Sequence, residues 1–261
     1  MREVAGPPGA PTVLLLHGWT ATADLNWYLS FGRLGRSYSV VAPDHRGHGR
    51  GIRSRRRFRL ADCAADAAAL LTQIGAAPAI VVGYSMGGTI AQILWRDHPE
   101  VVGGLVLCAT ARTFAVRPTE KAGVAALASL AMAARATPGV ARRALAARFI
   151  AGNRRRPLDA WALEEMQRND WTSVLEAGNA LGRFDSRRWI GGVDVPTAVV
   201  VTMADQMVSP DRQIALARSV PGATVHPVQG DHGACASTPD VFVPALLDAC
   251  ASVAARMRRA A

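Results

Sequence analysis

The sequence predicts an α/β fold, a doubly wound and mostly parallel sheet with a helical cap inserted, from three observations. Its short apolar runs are continuous rather than alternating, which suits strands buried on both faces. Helical patterns separate these runs, as a parallel sheet with crossover helices requires. One long stretch, 111–192, holds helical patterns and no strand-like run. The 261 residues suffice for one large domain.

The first predicted strands are Thr12–Leu16, Ser39–Ala42, Ala79–Val82 and Leu105–Cys108. Thr197–Thr202 and a weaker Thr224–Val228 come later. Leu60–Ile74 reads as a helix, with Leu60, Cys63, Ala64, Ala67, Leu70, Leu71 and Ile74 on one stripe. Met86–Asp97, Asp211–Arg218 and Pro239–Met257 are similar. Within the strandless stretch the spacing predicts helices over Thr119–Ala134, Gly139–Ile150, Leu158–Asn169 and Thr172–Leu181, punctuated by Pro138, Gly152 and Pro157. The expected organisation is a core of 1–110 and 193–261, with 111–192 as a cap over the strands' C-terminal edge. Open α/β sheets bind ligands at that edge.

Composition narrows the function. Half the residues are hydrophobic and 19% are charged, ordinary for a soluble globular chain. The longest alanine-rich apolar stretch, Ala122–Ala134, is too short to span a bilayer and lies between Lys121 and Arg135. Met1–Pro11 lacks the apolar core of a secretory signal. A cytoplasmic location is expected. The net charge is +10, with Lys121 the only lysine among 30 basic residues. Arg50, Arg53, Arg55, Arg56, Arg57 and Arg59 form the densest cluster, read as a solvated loop or as a steering field for an anion. No nucleic-acid-binding motif accompanies it. Cys63, Cys108, Cys235 and Cys250 are scattered without metal-like spacing, so free thiols and no metal are expected.

The chemistry centres on Gly83-Tyr84-Ser85-Met86-Gly87-Gly88, placed between a strand and a helix. A G-x-S-x-G there is a nucleophile elbow, presenting the Ser85 hydroxyl at the sheet edge. The flanking glycines are expected to permit the sharp turn. A serine needs a base within hydrogen-bond reach. Around such an elbow the acid and then the histidine follow the serine in the chain. His98 ends the elbow's own helix and His226 sits inside a strand-like run, so both read as structural. His232, in Gly230-Asp231-His232-Gly233 after the last strand, is the expected base. Asp205 stands just past Thr197–Thr202 and is the expected orienting acid. The alternative strand end, Cys108-Ala109-Thr110-Ala111, has no carboxylate, and Asp231 is too close in sequence to face His232. His17-Gly18-Trp19 follows the first strand, so the Trp19 and Met86 amides are expected to form the oxyanion hole. His17 reads as a brace for that loop.

Together His17-Gly18-Trp19, Asp44-His45-Arg46-Gly47-His48-Gly49, the Ser85 elbow, the Asp205 loop and the His232 loop resemble the α/β-hydrolase superfamily along essentially the whole chain. The tryptophan after His-Gly and the Ser-Met-Gly-Gly elbow are similar to bacterial aryl esterases and perhydrolases, and to monoacylglycerol-lipase-like and lactonase-like members. The resemblance implies a serine at the elbow, unlike the aspartate of haloalkane dehalogenases and epoxide hydrolases. It also implies two strands ahead of the His-Gly segment, whereas eleven residues precede Thr12. The sheet edge is therefore expected to be shortened, or the recorded start to lie downstream of the true one. A bare edge would favour pairing as a homodimer.

The expected reaction is hydrolysis of a carboxylic ester of an apolar or aromatic small molecule through an acyl-enzyme. Lactone, thioester, perhydrolysis and C–C bond chemistry use the same groups, and a ligand-binding receptor retaining them is the alternative from another class. No cofactor is implied, since no nucleotide-binding glycine pattern follows the first strand. Trp19, Tyr84, Trp161 and Trp171 are the expected substrate contacts. Trp189, Leu127, Leu130, Met132, Phe149 and Met166 furnish further apolar bulk in or just after the cap.

Overall fold

The computed structural model describes residues 1–137 and 160–260. Among the described residues seven strands form one sheet: β1 (Arg2–Val4), β2 (Thr12–Leu16), β3 (Ser39–Ala42), β4 (Ala79–Tyr84), β5 (Val102–Cys108), β6 (Thr197–Thr202) and β7 (Thr224–Val228). Their order is β1-β3-β2-β4-β5-β6-β7, parallel throughout except for β1.

The continuous apolar runs have a direct structural reason. Along β2, Leu14 and Leu16 enter one core while Val13 and Leu15 enter the other. Val81 and Ile80 divide likewise in β4, as do Val199 and Val200 in β6. Helices α3 (Leu60–Gln73) and α4 (Met86–Asp97) cover the first face with Leu71, Ile90 and Leu94. The long C-terminal helix Pro239–Ala260 covers the second with Phe242, Leu246 and Val253. Two-sided burial leaves no room for polar alternation.

The sheet edge differs from expectation. Residues Arg2–Val4 form an antiparallel strand on β3, pairing Glu3 with Val41 and Val4 with Val40. Three residues, two of them charged, carry no strand signal. Tertiary contacts hold the segment instead. The Arg2 guanidinium grips Asp24 in two hydrogen bonds, at 2.6 and 2.7 Å. Asp24 lies on α1 (Ala23–Trp27), which α2 (Phe31–Leu34) follows; neither short helix is long enough to show a period.

Between β5 and β6 the described residues hold α5 (Pro118–Ala136), α6 (Ala160–Gln167) and α7 (Trp171–Gly182). Gly139–Ile150 and Phe149 lie outside the described residues. Helices α5 and α7 approach so closely that a Cβ on Gly182 would stand 2.1 Å from Val124 Cγ2. The arginine-rich loop docks this insertion on the sheet. Arg50 donates twice to Glu165 of α6, at 2.7 and 2.9 Å, and Arg53 donates to the Arg168 carbonyl at 2.6 Å. Arg135 of α5 grips Glu176 of α7, whose other oxygen accepts from the Phe58 amide. All six arginines of the cluster, Arg50 and Arg53 included, remain exposed, as a solvated loop would have them. Past α7, Trp189 stacks on Trp95 and lies under Arg96, anchoring the return to the sheet.

Helix α8 (Pro210–Ser219) packs beside β6, and α9 (Ala234–Ser237) leads into α10 (Pro239–Ala260). No helix among the described residues is long and apolar enough to cross a membrane. All four cysteines are free and buried.

Candidate active site

Parallel strands deliver their following loops to one edge, and the candidate groups come from four of them. Between β4 and α4, Ser85 takes φ 52° and ψ −114°. A side-chain-bearing residue in this left-handed region costs about 1–3 kcal/mol, so its surroundings must hold it there. They do so at both ends of the residue. The Ser85 amide donates to the Cys108 carbonyl at 2.9 Å, and its carbonyl accepts from the Thr110 hydroxyl at 2.8 Å. The glycines act differently from expectation: the serine itself makes the turn, while the glycines allow close approach. A Cβ on Gly83 would lie 2.3 Å from the Gly87 carbonyl oxygen, and one on Gly87 would lie 2.0 Å from that of Leu16.

His232, after β7, bridges the other two groups. Its Nε2 stands 3.0 Å from Ser85 Oγ and its Nδ1 stands 2.7 Å from Asp205 Oδ2. Burial pushes the Asp205 carboxyl up, but the His232 imidazole, the Val208 amide and the Thr202 hydroxyl outweigh it and hold the carboxyl below its ordinary value. An ionised carboxylate only accepts, so Nδ1 carries the imidazole proton and Nε2 is left to accept from the serine. The Asp205 side chain is fully buried. Oδ1 accepts from the Met207 and Val208 amides, each at 2.9 Å, and Oδ2 accepts from Thr202 Oγ1 at 2.9 Å. Gln213 of α8 locks this corner, donating to Thr202 Oγ1 at 2.8 Å and to the Val208 carbonyl at 2.7 Å. The remaining histidines and Asp231 lie elsewhere in role. His98 ends α4, His226 sits within β7, and Asp231 accepts from the Gly233 amide and Ser237 hydroxyl.

The loop after β2 lies against the elbow: a Cβ on Gly18 would stand 3.5 Å from Ser85 Cβ. Asn26 Oδ1 accepts from the Gly18 amide at 2.8 Å and fixes the loop's course. His17 braces it as a neutral ring, donating from Nδ1 to the Gly18 carbonyl and accepting at Nε2 from the His45 amide. His17, His45 and His48 form a buried cluster, with ring centroids 4.2 and 5.4 Å from His17. Burial lowers all three, His45 well below the usual imidazole range and His48 to about 3. Among the described residues, no acceptor is paired with the amide of Trp19 or of Met86. Met86 opens α4, where the helix dipole favours negative charge.

The four expected substrate contacts separate. Trp19 stands under the insertion, its indole donating to the Val174 carbonyl at 2.7 Å and its ring facing Gly178. Tyr84 is buried in the elbow. Its hydroxyl donates to the His232 carbonyl at 2.8 Å, and its ring packs edge-on against Trp27 and Phe242. Burial pushes its phenol well up, so it stays neutral. Trp161 begins α6 and is exposed, meeting Tyr28 edge-on, while Trp171 opens α7 half-buried. Of the further apolar bulk, Leu130 and Met132 are exposed. Sequence reasoning missed Thr110, Thr202, Gln213 and Asn26. Thr202 ends β6 and Thr110 lies two residues past the end of β5, a positional signal that can be read; Gln213 and Asn26 carry none.

A protein-family model described as alpha/beta hydrolase fold matches residues 11–237. The pimeloyl-[acyl-carrier protein] methyl ester esterase of Chromobacterium violaceum is 31% identical over 245 residues, 91% of this chain and 93% of that protein. The dihydrolipoyllysine-residue acetyltransferase component of the acetoin cleaving system of Cupriavidus necator is 38% identical over 99 residues, 38% of this chain and 26% of that protein. The chain spans less than two fifths of the length of the first curated relatives it matches. In fold it is similar to the enol-lactonase from Burkholderia xenovorans LB400, with a TM-score of 0.76 at 22% identity, covering 96% of this chain and 95% of that one.

Proposed function

The chain belongs to the α/β hydrolase family, and on that premise we propose that it is a serine hydrolase cleaving a carboxylic ester of an apolar or aromatic small molecule. The observation that carries this reading is the bridging position of His232, 3.0 Å from Ser85 Oγ and 2.7 Å from Asp205 Oδ2. As Ser85 Oγ attacks the ester carbonyl, its proton passes to His232 Nε2. The resulting imidazolium is stabilised by the Asp205 carboxylate. The oxygen that becomes negative is received by the Trp19 and Met86 amides, each such donor contributing about 3–4 kcal/mol. Collapse of the tetrahedral intermediate breaks the C–O bond, and the alcohol leaves with the proton from Nε2. Water then repeats the sequence on the acyl-serine and releases the acid. A relative that matches over 91% of this chain is named for a methyl ester, which supports ester over other acyl chemistry.

The test is Ser85→Ala. Turnover of a p-nitrophenyl ester is expected to vanish while the circular dichroism spectrum stays unchanged. A fluorophosphonate probe is expected to label the parent protein at Ser85 and not the variant. Undiminished turnover by Ser85→Ala would overturn the assignment, and a parent protein that neither labels nor turns over would favour a binding role.

A further inference from the structure

The insertion carries a concavity apart from the triad. A groove of about 770 Å³ lies between α5, α7 and the segment that follows β5, within the roughly 300–1,000 Å³ of small-molecule sites. None of its lining residues belongs to the triad or the oxyanion loops. At the C-terminal end of α7 it is lined by Asn179 and by Arg183, the residue that caps the helix, one turn apart. They lie about 140° around the helix from Val174 and Gly178, the residues that meet Trp19.

Its lining combines uncompensated positive charge with apolar surface. Lys121 and Arg183 both line it, and among the described residues neither is ion-paired. The acids nearby are already taken: Asp185 holds Arg187 at 2.6 Å and Glu120 holds Arg212 at 2.6 Å. Val124 and Ala128 of α5, with Phe184 just past α7, supply the apolar part. Two unpaired cations beside such a surface suit an anion that also has hydrocarbon to bury.

We propose that this groove binds a small carboxylate with an apolar body, its head paired with Lys121 and Arg183 and its body on Val124, Ala128 and Phe184. Inorganic phosphate would meet the same cations but leave the apolar surface in water, so the two ligands can be told apart.

Because Lys121 is the only lysine, reductive methylation with ¹³C-formaldehyde labels one side chain, and methylation keeps its charge. The labelled α-amino group serves as an internal reference. Octanoate is expected to shift the Lys121 signal saturably, leaving the reference in place. Octanamide and inorganic phosphate are expected to bind at least tenfold more weakly. Arg183→Glu and, separately, Ala125→Asp, both at exposed positions, are expected to weaken octanoate at least tenfold without change in melting temperature. A non-saturating shift would overturn the proposal, as would phosphate matching octanoate. Unchanged affinity in Arg183→Glu would place octanoate elsewhere, including the Ser85 site, and would equally overturn it.

Discussion

The Tyr84 hydroxyl donates to the backbone carbonyl of His232 at 2.8 Å, so the residue before Ser85 holds the residue whose ring stands against the Ser85 hydroxyl. One strand thereby sets the serine and, through its neighbour's side chain, the height of the imidazole. Tyr84→Phe keeps the packing on Trp27 and Phe242 but leaves that carbonyl without its donor. Such a loss costs about 1–3 kcal/mol. A melting temperature lower by several degrees is expected, with kcat on a p-nitrophenyl ester falling more than KM changes. An unchanged kcat would show that the imidazole is held without this bond.

Asp205→Asn tests the orienting carboxylate. An amide can present its NH₂ to Nδ1 and favour the wrong tautomer, and a loss in kcat on the order of 10⁴-fold is expected. The carboxyl is depressed in the folded state. Its stabilising contribution is therefore present above the unfolded value, about 3.9, and is lost as pH falls through the folded one. Urea denaturation at pH 5 and pH 3 should show a smaller drop in the variant than in the parent.

The buried histidines make a second acid-sensitive element. His48 is lowered by burial to about 3, and its Nε2 is buried without a hydrogen-bond partner. The unfolded chain binds a proton near pH 6.5, so stability is full above that value and declines as pH falls towards 3. Between pH 7 and 4.5 His48 accounts for about 2.5 kcal/mol of that decline. His48→Leu, which has no proton to take up, is expected to flatten the dependence by that order in denaturation at the two pH values. An identical slope would refute a neutral buried ring.

Strain at the elbow gives a prediction of opposite sign. Ser85→Gly removes the Cβ at φ 52° and is expected to raise stability by about 1 kcal/mol in a thermal melt while abolishing turnover. Ser85→Ala keeps the strain and should melt with the parent.

The sheet was legible because burial on both faces writes itself into local composition: Thr12–Leu16, Ser39–Ala42 and Thr197–Thr202 occupy the spans their apolar runs predict. The elbow was legible because strand, Gly-x-Ser-x-Gly and helix are contiguous. Other features were out of reach for one physical reason: they depend on contacts between residues distant in the chain. Arg2–Val4 becomes a strand only against β3 with Asp24 holding Arg2. Arg50 and Arg53 read as solvated, and only the folded insertion shows them bonded to Glu165 and to the Arg168 carbonyl.

The sequence by itself determined which strands are buried, which serine sits at a strand-to-helix turn, and which loops reach the same sheet edge. Only the tertiary structure decided that the Tyr84 hydroxyl meets the His232 carbonyl. It alone brought Gln213 to the Thr202–Asp205 corner and, among the described residues, left Lys121 and Arg183 without an ion pair along one groove. Periodicity records how each segment meets the core, whereas the partner of a side chain is set by the packing of segments whose sequences carry no mark of one another.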